Sequence, residues 1–393
     1  MDAFRRQLVK SVYLFIYLFR DKRMKGIRRA FMTYYRLNNW SDYLVYHVKS
    51  LFFTEMNSCL FVVKGESKQQ RKARFFIRRS SINYDEIIPL NENYDYLEFR
   101  SKPFIRFDRK TFAITNSTFL IEHMYNNLYF DLKRFRKESG FCSDDEFRSY
   151  WTTEFSQKYM FYRFVKDCLR GDEVVVLDGC DCDRIVKEKG LSGVNPPDFY
   201  IRTDKCCILF EFKDTMLGAN IKDQHDANKL FNDIESKFLK SSKGKPKGIG
   251  QLMQNAKAIQ KGKFAFDAVG VDMPIIPVLV VDNPTYVMRG MRTKLEYMMR
   301  DYCKLIEINE TVIYPLILVD VATFELYRYE IKRDGFYKTF IDYYEKITCY
   351  GGNITGQIGA SMSSFTEYMK SKPISDINRV FTQIMNIIKR GMP

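Results

Sequence analysis

The sequence predicts an α/β protein with a central mixed sheet flanked by helices over residues 151–345. Short apolar runs bounded by turn residues indicate strands, and longer stretches with apolar residues three and four positions apart indicate helices. Strands and helices alternate in this part of the chain, which is typical of an α/β core. The predicted strands cover residues 173–178, 198–202, 206–213, 275–281 and 314–321.

Helices are predicted before and between these strands. A buried helix face ends at Gly171 and consists of apolar residues at helical spacing: Phe161, Phe164, Val165, Cys168 and Leu169. A polar helix is expected over residues 220–240 and another over 251–259. Residues 241–250 contain three glycines, one proline and three lysines, which predicts a mobile basic loop.

Two regions precede this core and one follows it. Residues 1–55 predict a basic, aromatic helical arm, and residues 56–150 a mixed α+β region. Within 346–393, the Gly/Ser-rich residues 351–364 predict a linker before a C-terminal amphipathic helix. The apolar stripe of that helix must dock on this chain or on a partner, another copy included, and comprises Ile377, Val380, Phe381, Ile384, Ile387 and Ile388.

The composition indicates a folded protein with a polyanionic partner. Of the 393 residues, 46% are hydrophobic, so disorder is not expected. The formal charge is +15, and residues 1–50 hold eleven Lys/Arg against three Asp, a net of +8. Basic surfaces attract nucleic acid. The bases expected to contact it are Arg23, Lys25, Arg28 and Arg29 of the arm and Lys243, Lys245 and Lys247 of the basic loop.

The aromatic residues of the arm have two interpretations. Rings among basic residues can stack on nucleobases, or they can pack against the body of the protein, which is the interpretation favoured here. A membrane span is not expected, because the apolar run 11–19 has nine residues and a spanning helix needs about 20. A helix lying on a membrane surface is the remaining alternative.

The cysteines do not form a disulfide pattern. Nine are scattered along the chain, an odd number. Cys180-x-Cys182 and Cys206-Cys207 suggest zinc ligands, but CxxC pairs are absent. Buried thiols in a reducing cytoplasm are therefore favoured, and a cytoplasmic location is expected. Histidine is also scarce, with His47, His123 and His225 as the three examples.

The strand at 206–213 carries two charged side chains within an apolar run. Because side chains alternate along a strand, Glu211 and Lys213 project from the same face. Burying both charges is costly unless they are paired or hold a metal. Asp198 begins the preceding strand, and Pro197 fixes its approach. A hairpin would therefore bring Asp198 close to Glu211.

These residues form a set of hard oxygen ligands. Asp198, Glu211 and the backbone carbonyl of Phe212, together with water, suit Mg²⁺ or Mn²⁺. A metal there would activate water and stabilise charge on a phosphate. Lys213 would orient the water or help to neutralise the phosphorane. The alternative is an ordinary Glu–Lys pair on an edge strand.

The pattern Pro197-Asp198…Glu211-Phe212-Lys213 resembles the PD-(D/E)xK nuclease superfamily. That family has a restriction-endonuclease-like core of a helix, a three-stranded meander carrying the motif, a helix and a further strand. The predicted order of elements agrees with it over about 150–285. The resemblance implies a Mg²⁺-dependent phosphodiesterase with Asp198, Glu211 and Lys213 as catalytic residues. Residues 99–132 also resemble the region before the core in bacterial restriction or defence nucleases.

The resemblance implies two further site residues. Family members often carry an acidic residue in the first helix, but residues 155–157 read Phe-Ser-Gln where Phe-Ser-Glu is expected. Glu154 could replace the missing ligand, or the Gln157 amide could hold a water molecule of the metal. Both lie on the inward stripe of the predicted helix. Gln251 matches a glutamine that some branches place near the catalytic lysine, although their following tyrosine is Asn255 here.

Three classes of function remain open. The first is a metal-dependent nuclease, with DNA favoured over RNA, in restriction or anti-phage defence. The second is a nucleic-acid-binding protein on a catalytically degenerate nuclease fold, which Gln157 favours. The third is a basic interaction or scaffold protein. The sequence contains no GxxxxGK[ST] motif, so nucleotide hydrolysis is not expected.

Overall fold

The chain forms two α/β units, each with one mixed β-sheet and surrounding helices. Met1–Phe155 and Asn378–Pro393 form the first unit, and Ser156–Ile377 forms the second. The structure is a computed structural model. It describes residues 2–55, 59–87, 97–140, 142–218, 221, 226–348, 354–372 and 375–390.

This division differs from the four segments expected from the sequence. Residues 1–55 do not form a separate arm, because they belong to the same unit as residues 56–150. The C-terminal region 346–393 is shared between the two units, with the change at Ile377.

The first unit is mainly helical and also contains a four-stranded sheet. Its strands are β1 (Leu60–Val62), β2 (Ser81–Asn83), β3 (Phe104–Arg106) and β4 (Thr111–Ile114). Their order is β1-β4-β3-β2, with only β2 and β3 parallel. The helices are α1 (Asp2–Arg20), a 3₁₀ turn (Lys22–Met24), α2 (Lys25–Tyr35), α3 (Trp40–Glu55), α4 (Lys68–Arg79), α5 (Tyr84–Ile87), α6 (Leu97–Ser101), α7 (Ser117–Glu122), α8 (Leu128–Ser139), α9 (Asp144–Ser149) and a π-helix (Tyr150–Phe161) that continues into the second unit.

The second unit is built on a five-stranded sheet. Its strands are β5 (Val175–Asp178), β6 (Phe199–Arg202), β7 (Cys207–Lys213), β8 (Ile275–Val281) and β9 (Ile317–Asp320). The helices are α10 (Tyr162–Asp167), α11 (Gly179–Glu188), α12 (Ala227–Phe238), α13 (Ile249–Gln260), a 3₁₀ turn (Pro284–Val287), α14 (Met291–Leu305), a second 3₁₀ turn (Glu310–Val312), α15 (Ala322–Leu326), α16 (Arg328–Asp334), α17 (Phe336–Thr348), α18 (Ile354–Ser361), α19 (Phe365–Met369) and α20 (Ser375–Arg390), which continues into the first unit.

The five strands of the second unit are those predicted from the sequence, and no end is shifted by more than three residues. They lie in the order β5-β6-β7-β8-β9. β5, β6 and β7 run antiparallel, and β7, β8 and β9 run parallel. The strand β7 is therefore central in the sheet, so the edge-strand position assumed in the alternative of an ordinary Glu–Lys pair is wrong. Helix α13 is confirmed, and α12 confirms residues 227–238 of the predicted polar helix, with Asp226 as its N-cap and Leu239 as its C-cap.

Each face of this sheet has its own apolar layer. On one face, Leu209 joins a buried cluster that includes Leu252, Met253 and Ala256 of α13. On the other face, aromatic rings predominate, and Phe161 stacks on Phe212 with ring centroids 5.0 Å apart. Glu211 shares the face of Leu209, because side chains alternate along β7. Glu211, at the charged end of this strand, therefore lies next to an apolar layer.

The basic loop expected over 241–250 is more ordered than its composition suggested. Lys240 and Pro246 form an isolated β-bridge, and Ser241 N donates to the Lys245 carbonyl at 2.8 Å. The Gly/Ser-rich linker expected over 351–364 is also partly wrong, because Ile354–Ser361 is helical. Residues 351–353 lie outside the described part of the chain.

The aromatic residues near the N-terminus form the core of the first unit, as favoured from the sequence. In α1, twelve of 19 residues are buried. Phe15 stacks on Trp40 with centroids 5.3 Å apart, and Phe31 and Tyr35 are 1% and 2% exposed. Among the described helices, none is long and apolar enough to cross a membrane.

The C-terminal helix packs on its own chain. Val380, Ile384 and Ile388 are buried, and Phe381 meets Phe4 of α1 with centroids 6.2 Å apart. Most of the apolar stripe predicted from the sequence is therefore covered by the chain itself, so the expectation that this helix recruits a partner has no support from its packing.

A buried polar network lies at the centre of the first unit. Tyr35 Oη donates to Asp131 Oδ2 at 2.6 Å, and His123 Nε2 lies 3.5 Å from the same oxygen. His47 Nδ1 donates to the Tyr43 carbonyl at 2.9 Å, because a carbonyl only accepts. Burial lowers the pKa of His47, so its Nε2 carries no proton and accepts from His123 Nδ1 at 2.9 Å.

We expect Asp131→Asn to destabilise the first unit strongly. The Asp131 side chain is 11% exposed, and its carboxylate also accepts from Arg134 at 3.1 Å. Removing one partner of a buried charged network costs about 3 kcal/mol or more. Urea unfolding measures the loss. Glu138→Gln is the control on the same helix, since its carboxylate is 56% exposed and lies 4.0 Å from Arg134, and it should cost less than about 0.5 kcal/mol. Equal losses would contradict a central role for the network.

Candidate active site

The candidate site lies at the end of the central strand β7. Glu211 is 1% exposed, and its Oε1 accepts a hydrogen bond from Lys213 Nζ at 2.6 Å. Glu211 Oε2 is also buried but has no hydrogen-bond partner among the described residues. A buried carboxylate oxygen without a donor is costly. This oxygen therefore marks a place where a water molecule or a cation would be stabilised.

Asp198 lies next to Glu211 at the start of β6. The pairing of Phe199 with Phe210 brings Asp198 to the level of Glu211 on the neighbouring strand. Asp198 N donates to the Phe210 carbonyl at 3.1 Å, and Asp198 Oδ2 accepts from Phe212 N at 2.7 Å. The side chain thus replaces a backbone acceptor at the point where the two strands separate.

The backbone of Phe212 points towards Asp198. Its N–H donates to the Asp198 carboxylate, and the N–H and C=O of one strand residue point to the same side. Pro196 and Pro197, which precede Asp198, have no N–H to offer to the Phe212 carbonyl. Asp198, Glu211 and the Phe212 carbonyl, the three ligands inferred from the sequence, therefore meet at this end of the sheet.

The charges of the site shift one another's pKa values. Burial, reinforced by the charge of Asp198, raises the pKa of Glu211 to about 8, although Lys213 opposes the shift. Burial likewise raises the pKa of Asp198, with Lys213 again opposing it. Burial alone would lower the pKa of Lys213, but the charges of Glu211 and Asp198 raise it above its usual value. Without a cation, the site holds a protonated lysine and favours one proton on its two carboxylates.

Gln157 contacts the site directly. Its Nε2 donates to Asp198 Oδ1 at 2.7 Å and to Tyr162 Oη at 3.1 Å. Glu154, the other candidate in this helix, belongs to the first unit. There, burial raises the pKa of Tyr17, and the charge of Glu154 contributes to that rise. The α-helical spacing put both residues on one face, but residues 150–161 are π-helical, and a π-helix has a different periodicity.

Gln251 lies next to Lys213, the candidate catalytic lysine. Its Oε1 accepts from Lys213 Nζ at 3.2 Å and from Gly248 N at 3.0 Å. Gly248 has φ +49°, and a Cβ there would lie 2.8 Å from the Phe238 carbonyl oxygen. A Cβ on Gly250 would lie even closer to the Leu239 carbonyl oxygen. These glycines let the start of α13 approach the end of α12, which places Gln251 beside β7. Asn255 Nδ2 donates to the Gln251 carbonyl at 3.1 Å.

Tyr162 was not identified from the sequence. Its hydroxyl accepts from Gln157 and lies against the backbone of Gly179, where any side chain would collide with it. Gly179 begins α11 directly after the cap Asp178. Burial raises the pKa of Tyr162, and the charge of Asp198 adds to the rise. The tyrosine is adjacent to Phe161 in an aromatic stripe, so composition gave no signal that separated it from the core.

The basic residues expected to contact nucleic acid are in different environments. Lys243, Lys245 and Lys247 are exposed on the turn before α13, and Lys247 Nζ donates to the Ser236 carbonyl at 3.2 Å. In the first unit, Lys25 and Arg29 are exposed. Two others bond within the chain, since Arg23 forms a bidentate pair with Asp21 and Arg28 donates to the Phe19 carbonyl.

The thiols do not form a metal centre in the part of the chain that the structure describes. Cys182, Cys206 and Cys207 are buried, Cys180 is exposed, and each of them is a free cysteine. His225 lies outside the described residues.

Comparison with known proteins finds no relative of this chain. No protein-family model, curated protein or solved structure matches the chain. Among the described residues, no group of three or more His, Cys, Asp or Glu side chains is placed to hold a metal ion. A metal at the candidate site would therefore have Asp198, Glu211 and the Phe212 carbonyl as its protein ligands.

We expect divalent-cation binding to strengthen as the pH rises towards about 8. Glu211 has a pKa of about 8 in the metal-free protein, and a carboxyl must lose its proton to ligate a metal. The apparent Mn²⁺ affinity should therefore rise by roughly tenfold per pH unit between pH 6 and 8 and then level off. Titration calorimetry at several pH values measures it. Glu211→Gln should bind weakly with a flatter profile, and a flat wild-type profile would contradict Glu211 as a ligand.

Proposed function

We propose that this chain is a Mg²⁺- or Mn²⁺-dependent nuclease that hydrolyses phosphodiester bonds in nucleic acid, with DNA as the favoured substrate. The proposal also includes a restriction-endonuclease-like core in the second unit. A role in restriction or anti-phage defence is an extension of it, which rests on the resemblance of the sequence motif alone.

One observation carries the proposal. Two carboxylates from adjacent strands, Asp198 and Glu211, meet beside a lysine at the end of an apolar strand. One oxygen of Glu211 has no hydrogen-bond partner among the described residues. A purely structural ion pair would gain from a second protein donor to that oxygen, whereas a cation could occupy the place of that donor.

The order of elements supports the same assignment. The π-helix and α10 precede three antiparallel strands, and β6 and β7 of this meander carry the motif. Helix α13 and the parallel strand β8 follow. The PD-(D/E)xK resemblance implies this order, to which the chain adds α11 between β5 and β6 and α12 before α13. The site lies where antiparallel and parallel pairing meet at β7.

The residues of the site have separate roles in this proposal. Lys213 keeps its proton, because Glu211 and Asp198 raise its pKa, so its ammonium can stabilise negative charge that develops on the phosphate. Gln251 accepts from the same ammonium and fixes its direction. Phe212 N and Gln157 hold the two oxygens of Asp198. These contacts orient the ligands before a substrate binds.

The ligand set fits a hard divalent cation. It offers carboxylate oxygens from Asp198 and Glu211 and one backbone carbonyl from Phe212, with the remaining positions left to water and substrate. When bound, Mg²⁺ supplies positive charge that stabilises the phosphate oxygens in the transition state and favours ionised water at neutral pH.

Lys213→Ala tests the role of the lysine. If its charge acts mainly in the transition state, single-turnover cleavage of a DNA substrate in Mg²⁺ should fall by roughly 10²-fold or more, while Mn²⁺ affinity and the melting temperature in Mn²⁺ stay near wild type. Cleavage by the wild-type protein should also stop in EDTA, which removes the metal. A folded variant that cuts at the wild-type rate would remove the assignment from this site.

Lys237→Ala is the matched control for that variant. Lys237 is similarly buried, with 18% of its side chain exposed, and pairs with Asp233 at 2.6 Å in the same unit. It should lose stability comparably in the metal-free protein but retain cleavage. If both lysine variants lose activity together, the effect of Lys213 is one of folding.

A second candidate function is a nucleic-acid-binding protein whose nuclease site is degenerate. Gln157 favours it, because an amide donates to Asp198 where the resembled family often has an acid. Such a protein would bind Mg²⁺ weakly and bind nucleic acid without cutting it.

Gln157→Glu separates the two candidates. The new carboxylate would face Asp198 across a contact now 2.7 Å long, so the metal-free variant should melt at a lower temperature because of like-charge repulsion. Mn²⁺ affinity should rise by about tenfold or more, since the site gains an acidic ligand. Gln157→Leu is the control, since it removes the donor without adding charge. Cleavage by the Gln157→Glu variant alone, and none by wild type, would establish the degenerate site.

A further inference from the structure

Alternating guanidinium groups and aromatic rings form a row on the surface of the first unit. The guanidinium carbon of Arg36 lies 4.1 Å from the Phe75 ring centroid, and that of Arg79 lies 5.3 Å from the same centroid. Arg79 is also 4.8 Å from the Tyr34 ring, which Arg134 approaches to 4.7 Å. We call these five residues the arginine ladder. They join the end of α2, helix α4 and helix α8.

The ladder lies on an unusually basic helix. Helix α4 contains six Lys/Arg and no Asp or Glu. Lys68, Lys72, Phe75 and Arg79 follow one another at helical spacing along one stripe. Arg71 and Arg78 are exposed beside this stripe, and within the described residues no acidic side chain pairs with either.

Three acidic residues lie at the margins. Glu66 pairs with Arg74 and Lys110, outside the ladder. At its other end, Asp131 accepts from Arg134 at 3.1 Å, and Glu138 lies 4.0 Å from the same guanidinium. In the described part of the chain, no ion pair neutralises Arg36 or Arg79. The centre of the ladder is therefore a concentration of uncompensated positive charge.

Stacking gives these arginines a defined orientation. A guanidinium held against a ring loses part of its rotational freedom in advance, and its N–H edges stay available for hydrogen bonds. Oriented N–H pairs match the oxygens of a phosphate, which arginine binds in a bidentate manner. The faces of Phe75 and Tyr34 are already occupied by guanidinium groups, so the surface offers contacts to phosphates and not stacking platforms for bases.

We propose that the arginine ladder is a sequence-independent binding surface for the phosphate backbone of nucleic acid. A membrane surface fits less well, because membrane-binding helices combine bases with apolar side chains that insert. Of the apolar side chains of α4, Phe76 and Ile77 are 0% and 4% exposed, and the ring of Phe75 is covered by the guanidinium groups of Arg36 and Arg79. This binding does not depend on the cleavage chemistry of the second unit, and it involves residues other than the basic ones inferred from the sequence.

The test is a triple variant, Arg36→Gln, Arg79→Gln and Arg134→Gln, compared with the whole wild-type chain. Binding to a fluorescent duplex of arbitrary sequence is measured in EDTA at several salt concentrations, so that cleavage plays no part. For each phosphate that the protein no longer neutralises, the slope of log K against log salt becomes shallower by about 0.9. We expect the slope to change by the equivalent of roughly two to three phosphates and the Kd to rise roughly tenfold or more near physiological salt. An unchanged slope would overturn the proposal.

Three controls make the result specific. The first control removes the same charge from exposed positions of the second unit, with Lys261→Gln, Lys263→Gln and Lys304→Gln combined. It should change nucleic-acid binding much less than the ladder variant. An equal effect would show that binding depends on the net charge of the protein and not on the arginine ladder. Arg71→Gln with Arg78→Gln lies beside the ladder on exposed positions and should weaken binding even if the triple variant unfolds. Equal, ladder-dependent binding to phosphatidylserine vesicles or polyglutamate would overturn the choice of nucleic acid.

Discussion

A carboxylate buried in an apolar strand is the constraint on which the second unit depends. Glu211 is almost fully buried in the middle of a five-stranded sheet, and one of its oxygens has no protein donor among the described residues. Exposing the strand end to water would relieve that cost, but Leu209 and the helix α13 keep this face dry. The fold therefore compensates the charge locally, with Lys213 on one oxygen.

The neighbouring elements follow from the need to orient that group. The strand β6 diverges from β7 at Asp198, whose side chain accepts the Phe212 N–H that would otherwise lack a strand partner. The start of α13 comes close enough for Gln251 to accept from Lys213 because two glycines permit the approach. Each contact gives a buried polar group a hydrogen-bond partner and also fixes its orientation. Such contacts can hold a site in one geometry without adding to the net stability of the fold.

Much of this arrangement could be predicted from the sequence because it depends on strand periodicity. Alternation along 206–213 put Glu211 and Lys213 on one face, and the short turn after β6 placed Asp198 alongside. The π-helix was not predictable from the spacing of apolar residues, because Phe161 and its neighbours fit an α-helical stripe equally well. The separate N-terminal segment was wrong for another reason. Basic and aromatic residues at helical spacing are compatible with a distinct arm and with the helices of a larger core, and only tertiary packing distinguishes the two.

The amide at position 157 changes the charge of the site in a way that bears on its chemistry. Counting Asp198 and Glu211 as −1 each and Lys213 as +1, the ionised site carries −1, and one shared proton brings it to zero. This agrees with the pKa of about 8 for Glu211. With a divalent cation and no proton the sum is +1, whereas an acid in place of Gln157 would make it zero. An amide therefore weakens cation binding but leaves a bound site with a net positive charge, which attracts a phosphodiester. An amide in place of a third acid is thus compatible with the proposed nuclease activity, provided that the cation concentration is high enough to fill the site.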